Sequence, residues 1–293
     1  MRMIVLYSAI AIVIAFLSFM GISSYYFDRM LHDETDRLLH PAEVDSMELF
    51  DYSTLAKLPA PVRRYLRNAV PDGYPIIRTV ELSHNGYFRT GPKKNWWPVK
   101  GKEYFSTSPP SYLWIADVFP FRLLWLRARD KYLDGQGEVL VRLYSGLTVE
   151  KSKSKEVAQS ALIRFAAEIP WFPTAFAGHS YLSWEAIDNH SARAVITDHN
   201  IEISVIYYFN DDGEIIRFFT KDRYLDQQKH DYTGYYSDYQ EVNGIRIPTE
   251  VEVEWNLPKG NFSYARFKLT NIIYNKLLEI PQKTESHADV LSQ

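Results

Sequence analysis

The chain has 293 residues, 46% of them hydrophobic and 24% charged, with 33 basic against 36 acidic side chains and no cysteine. So apolar and weakly charged a chain packs a core, which excludes wholesale disorder. The missing thiol excludes disulfides, thiolate metal sites and a cysteine-linked lipid anchor, and the near-neutral balance offers no broad positive field for nucleic acid.

Residues 3–22 carry no charge and are rich in Ile, Val, Leu, Ala and Phe. As a helix they span about 30 Å, the thickness of a bilayer's hydrocarbon core, and predict one transmembrane anchor. Tyr25, Tyr26 and Phe27 follow at headgroup depth. The run is longer than a signal peptide's apolar core and lacks a clean Ala-x-Ala site, so we expect it to be retained. Arg2 abuts the run, whereas Asp28 offsets Arg29 and Arg37 lies farther away; the amino terminus is therefore expected inside and the bulk of the chain outside. That places the bulk of the chain on the extracytoplasmic side of the cytoplasmic membrane as the expected location.

The expected organisation is an anchor over 1–27, a charged stalk and helical linker over 28–54, a β domain over 55–281 and a disordered polar tail over 282–293. Residues 42–69 read as helical with a break near Pro59 and Pro61. Val62, Tyr65 and Leu66 form the inner face of the second piece, and Arg63, Arg64 and Arg67 its wet side.

From about residue 76 the apolar period changes from helical to two. Strands are predicted over 77–90, 102–107, 112–118, 124–132, 138–143, 181–187, 192–198, 201–209, 214–222, 232–242, 246–255 and 262–274. Asn210-Asp211-Asp212-Gly213, Asp134-Gly135 and Asn243-Gly244 are tight-turn signals that make neighbouring strands antiparallel. One helix interrupts them over 155–169, with Ala158, Leu162, Phe165, Ala166 and Ile169 as its apolar stripe and Pro170 as its stop. So many strands under so few helices exceed a flat sheet, and the fold class is mainly β (α+β): a strongly curled or closed antiparallel sheet with one or two covering helices.

The 7 Trp, 21 Tyr and 16 Phe supply large rings for that interior. Charges inside apolar runs mark the candidate site: Arg89 at a strand end, Arg129 and Asp130 on opposite faces of one strand, Glu168 leaving the helix, and Arg223 after an apolar strand. Together with Trp114, Trp171 and Trp184 they form the expected ligand site, the charged groups holding a polar head and the rings a tail. An acid–base role for Asp130 or Glu168 is the enzymatic alternative, and a scaffold using a sheet edge or the Arg63, Arg64 and Arg67 face is a third reading. No Walker loop, nucleophile elbow or zinc-binding His pair occurs, the eight histidines are scattered, and neither a metal nor a cofactor is expected.

The motifs Leu58-Pro59-x-Pro61-Val62-x-Arg64-Tyr65-Leu66, Gly86-x-Phe88-Arg89, Trp114-x-Ala116, Arg129-Asp130-x-Tyr132-x-x-Gly135-x-Gly137, Glu168-x-x-Trp171-Phe172-Pro173-Thr174-Ala175 and Asp222-Arg223-Tyr224 resemble an uncharacterised bacterial membrane-anchored family, a domain of unknown function. The phrase Tyr236-x-x-Tyr239-x-x-Val242-Asn243-Gly244-Ile245-x-Ile247-Pro248 is similar to the LolA/LolB lipoprotein carriers. That second resemblance implies that the curled sheet is a half-barrel, wrapped over helices around an apolar cavity for acyl chains. A chain without cysteine and with a retained helix departs from those carriers, which makes lipoprotein shuttling doubtful and leaves lipid binding as the expectation.

Overall fold

The computed structural model describes residues 2–39, 48–122 and 124–276; the expected polar tail lies outside them. Helix α1 (Arg2–Leu39) is continuous, and within it is the one helix among the described residues long and apolar enough to cross a membrane. A 3₁₀ turn (Tyr52–Lys57) and α2 (Ala60–Ala69) follow. Asp51 caps the turn by accepting from the Ser53 amide at 2.7 Å, and α2 buries Val62, Tyr65 and Leu66 as the stripe predicts.

Thirteen strands then form one antiparallel sheet. They are β1 (Thr79–Phe88), β2 (Trp97–Thr107), β3 (Pro110–Phe121), β4 (Leu124–Leu133), β5 (Gln136–Leu143), β6 (Leu147–Ser152), β7 (Leu182–Ala186), β8 (Ser191–Asp198), β9 (Ile201–Phe209), β10 (Ile215–Leu225), β11 (Gln228–Val242), β12 (Ile245–Leu257) and β13 (Gly260–Tyr274). Between β6 and β7 lies α3 (Lys155–Glu168), started by Ser154, whose hydroxyl accepts from the Val157 amide. The spatial order is β6-β5-β4-β3-β2-β1-β13-β12-β11-β10-β9-β8-β7, two meanders joined where the first strand pairs with the last.

Right-handed twist accumulates across these neighbours until the sheet curls on itself. Its two halves meet where Tyr132 of β4 donates to Asp198 at the end of β8, 2.6 Å away. Helix α3 lies in the concavity, on β5, β9 and β10. Gly137 permits the close approach: a Cβ there would stand 2.5 Å from Ala158 Cα.

The core explains many of the aromatics. Phe105, Phe165, Phe172, Phe176 and Phe218 fill it as rings, while tyrosines from the sheet satisfy the carbonyls that α3 leaves open at its end. Tyr207 donates to Ala166 O at 2.6 Å and Tyr236 to Ala167 O at 2.5 Å.

Alternation along β4 places Arg127, Arg129 and Lys131 on the convex side and Leu126, Ala128 and Asp130 on the concave side. The final third of α1 rests on that convex side. Phe27 and Leu31 pack with Leu140, and Leu38 with Leu113 and Leu133. The charges read as a solvated stalk are therefore partly engaged: Asp28 binds Arg127 at 2.9 Å, Glu34 binds Lys131 at 2.5 Å, and Arg37 pairs with Asp134.

Candidate functional site

A cavity of about 370 Å³ opens on the concave side. Phe88, Trp97, Val118, Leu126, Val139, Val141, Val251, Val253 and Phe267 give it an apolar wall. Its polar end joins β4, α3 and β10 through Asp130, Arg164, Glu168 and Arg223.

At the centre stands Arg164, one turn before the end of α3. Its guanidinium reaches Glu103 of β2 at 2.9 Å, Asp130 at 2.9 Å and Glu168 at 3.0 Å. It also stacks over Trp114 and Tyr112, with centroid distances of 4.7 and 5.2 Å. Tyr112 donates to Asp130 at 2.9 Å. One cation among three carboxylates leaves two negative charges uncompensated, which the interior resists by keeping a proton. Burial pushes Glu103 well above the ordinary carboxylate range against the pull of Arg164, and the charges of Glu168 and Asp130 push it further. Burial raises Glu168 too, again opposed by Arg164. Burial and mutual repulsion thus push both glutamates toward the neutral form, Glu103 the further of the two.

Behind this group, Trp114 donates to His84 Nε2 at 2.7 Å. Burial and the nearby Arg164 cation hold that imidazole neutral, its pKa lowered to about 3. The acceptor is therefore always available, and Trp114 is fixed flat under the guanidinium.

Arg223 differs from every other cation at this site. It lines the cavity and lies over the rings of Tyr232 at 4.2 Å and Trp255 at 5.5 Å. Among the described residues no hydrogen bond or ion pair engages its guanidinium, unlike that of Arg164. The indole N–H of Trp171, another lining residue, is also without an acceptor.

The structure thus brings together five of the sequence-predicted residues: Trp114, Asp130, Glu168, Trp171 and Arg223. Three lie elsewhere. Arg129 is on the opposite face of β4, between Glu138 at 3.0 Å and Glu34 at 3.4 Å. Trp184 donates to Phe176 O at 3.0 Å and packs on Phe176 and Tyr207. Arg89 turns away between the lining residues Phe88 and Thr90, donates to Ser263 O at 2.6 Å and stacks on Trp96 at 4.4 Å. Sequence reasoning missed Arg164 and Glu103. Each carried a signal: Arg164 stands four residues before Glu168 on one helix, and Glu103 shares the inward face of β2 with Val99 and Phe105.

Residues 48–267 match the model of a family of unknown function, DUF6544. The chain belongs to that family. No curated protein matches it. Among solved structures, a LolA superfamily protein from Nitrosomonas europaea is similar over 75% of this chain and 96% of its own, at 9% identity and a TM-score of 0.40. A DUF1329 family protein from Desulfovibrio piger is similar over 69% of this chain and 88% of its own, at 14% identity and a TM-score of 0.40. The DUF6544 match spans α2, all of β1–β12 and the cavity, so the site described above lies within the family domain.

Proposed function

We propose that this DUF6544 protein is a single-pass membrane protein whose half-barrel binds an amphipathic molecule with an anionic head, such as a lipid, on the outer side of the membrane. The observation that carries the reading is Arg223: a permanent cation, flanked by aromatic rings, facing a cavity and without an ion-pair partner among the described residues. A buried guanidinium is costly unless something negative completes it, and a ligand carboxylate or phosphate does so bidentately. The apolar wall of Val118, Leu126, Val141 and Val253 takes the tail. Asp130 and Glu168 are held by Arg164, which supports binding over acid–base chemistry. The hydrocarbon-length stretch at the start of α1 supports the membrane placement.

The test uses the full chain purified in mild detergent. Native mass spectrometry is expected to find a co-purified acidic lipid on the wild type and none on Arg223→Gln, and added fatty acid should alter tryptophan emission through Trp114 and Trp171. Protein that carries no lipid and whose fluorescence ignores fatty acid would sink the reading.

A further inference from the structure

The first six strands turn back on themselves at three hairpin tips that share one rim of the sheet, because alternate hairpins of an antiparallel meander lie at the same end. The course of α1 shows which way that rim faces. Ser23 donates to Gly146 O at 2.8 Å in the β5–β6 tip, Asp28 meets Arg127, Glu34 meets Lys131, and Arg37 meets Asp134 in the β4–β5 turn at the other end. The helix therefore runs along β4 away from the tips, and its apolar first half projects beyond them. The tip itself touches that half: Gly146 lies so close to Met20 that a Cβ there would stand 2.3 Å from the methionine Cε.

All three tips carry aromatic rings and no carboxylate, and the first two carry cations as well. The β1–β2 tip is Arg89-Thr90-Gly91-Pro92-Lys93-Lys94-Asn95-Trp96, with Lys93 and Lys94 exposed. The β3–β4 tip carries Phe121, 72% exposed, next to exposed Arg122 and followed by Leu124 and Trp125. The β5–β6 tip carries Tyr144, whose ring packs on Trp125 at 4.9 Å. No Asp or Glu occurs at 88–99, 118–126 or 143–149. Aromatic rings and cations without carboxylates are what a headgroup layer over anionic lipid selects.

We propose that these three tips form a second membrane contact, seated in the headgroup region of the bilayer that α1 spans, with Phe121 as the deepest residue. The inference rests on the anchor reading and adds an orientation to it. Met20 and Ile22 end the apolar run, so the tip at Gly146 sits at the hydrocarbon boundary and Phe121 on the neighbouring hairpin reaches the same depth. The strand ends behind the tips, Phe88, Trp97, Val118 and Leu126, are themselves cavity wall. The apolar wall is thereby continuous with the bilayer surface, and an acyl chain entering there stays out of water.

The absence of native cysteine makes the test direct. Phe121→Cys, Lys94→Cys and, as a distant control, Asp211→Cys (a side chain 97% exposed) are labelled with an environment-sensitive dye on the full chain. The labelled proteins are reconstituted into vesicles of phosphatidylcholine and phosphatidylglycerol. The expected result is a blue-shifted emission at positions 121 and 94, quenching there by doxyl lipids and loss of quenching by aqueous iodide, with the reverse at 211. Exchange of Lys93, Lys94 and Arg122 for Gln should reduce the shift at 121. Chains that fail to co-float with vesicles would refute the anchor itself. Chains that co-float but show equal iodide quenching at 121 and 211 would refute the tip contact alone, as would a blue shift at 121 that depends on protein density and ignores doxyl lipid, the mark of a second copy.

Discussion

Strand β4 carries two guanidinium clusters on its two faces, built from the same side-chain types and opposite in electrostatic character. On the convex face Arg129 and Lys131, joined by Lys151 at 3.9 Å from Glu138, meet Glu34 and Glu138, three cations against two carboxylates. Burial works against the Glu138 carboxylate, but the Arg129 hydrogen bond and the cations of Arg129, Lys131 and Lys151 outweigh it and its pKa falls. On the concave face Arg164 alone faces Glu103, Asp130 and Glu168, and there the pKa values of Glu103 and Glu168 rise. Stoichiometry decides the outcome. The cation-rich cluster fastens α1 to the sheet, whereas the acid-rich one pushes Glu103 and Glu168 toward the neutral form beside a cavity whose other cation, Arg223, has no ion-pair partner among the described residues.

The sharpest way to break the comparison is to remove each arginine. Arg164→Met strands three buried carboxyl groups and should cost about 3–5 kcal/mol, read as loss of thermal stability of the reconstituted chain. Arg129→Met leaves Lys131 within reach of Glu34 and Glu138 and should cost about half as much by the same reasoning. Equal losses would show that the charge count is irrelevant.

Next in size is the ligand effect. Arg223→Gln should weaken binding of an anionic amphiphile about 10- to 100-fold, the value of one charge-assisted contact, measured by tryptophan titration. Because Arg223 completes no ion pair among the described residues, the melting temperature should hold or rise.

The pH dependence separates the faces by sign. A raised folded-state pKa at Glu103 means the native state holds a proton that the unfolded chain releases above its own pKa near 4.5. Its contribution is full below that value and is lost as pH rises toward the folded pKa. Glu103→Gln puts a neutral side chain in the same place and should flatten this loss, raising the melting temperature at pH 8 relative to wild type. Glu138 has the opposite sign: its contribution is present above the unfolded pKa and is lost as pH falls through the lowered folded one. Glu138→Gln should therefore remove stability at neutral pH and little of it at low pH. The smallest effect is expected at Asp28→Asn, an exposed partner of Arg127, at about 0.2–1 kcal/mol in a melting curve.

The curled sheet was legible because inward and outward residues alternate so regularly: the period-two pattern yields every strand except β6. That strand, Leu-Thr-Val-Glu-Lys-Ser, lies at the sheet edge and is largely exposed, so no buried face imposes an alternation to read. The site was half legible for a related reason. Alternation separates Asp130 from Arg129, yet which face holds the cavity depends on where α1 and α3 dock, a long-range fact. Arg164 was missed since a charged residue beside an apolar helical stripe ordinarily faces water. Here β2 and β4 supply carboxylates across the concavity, 61 and 34 residues away along the chain.

The seam between β1 and β13, with Val80 opposite Tyr274, has a bearing on how the protein is made. Strand β1 emerges early in synthesis, but its second neighbour is the last strand to appear. Until then the first meander carries an open edge, and the cavity lacks the wall that Ala265 and Phe267 supply. Closure is thus a late, long-range folding event of the kind that high contact order makes slow. The waiting half, β1–β6, is also the half on which α1 packs, so a docked helix already covers its convex face while its first strand still lacks its final partner.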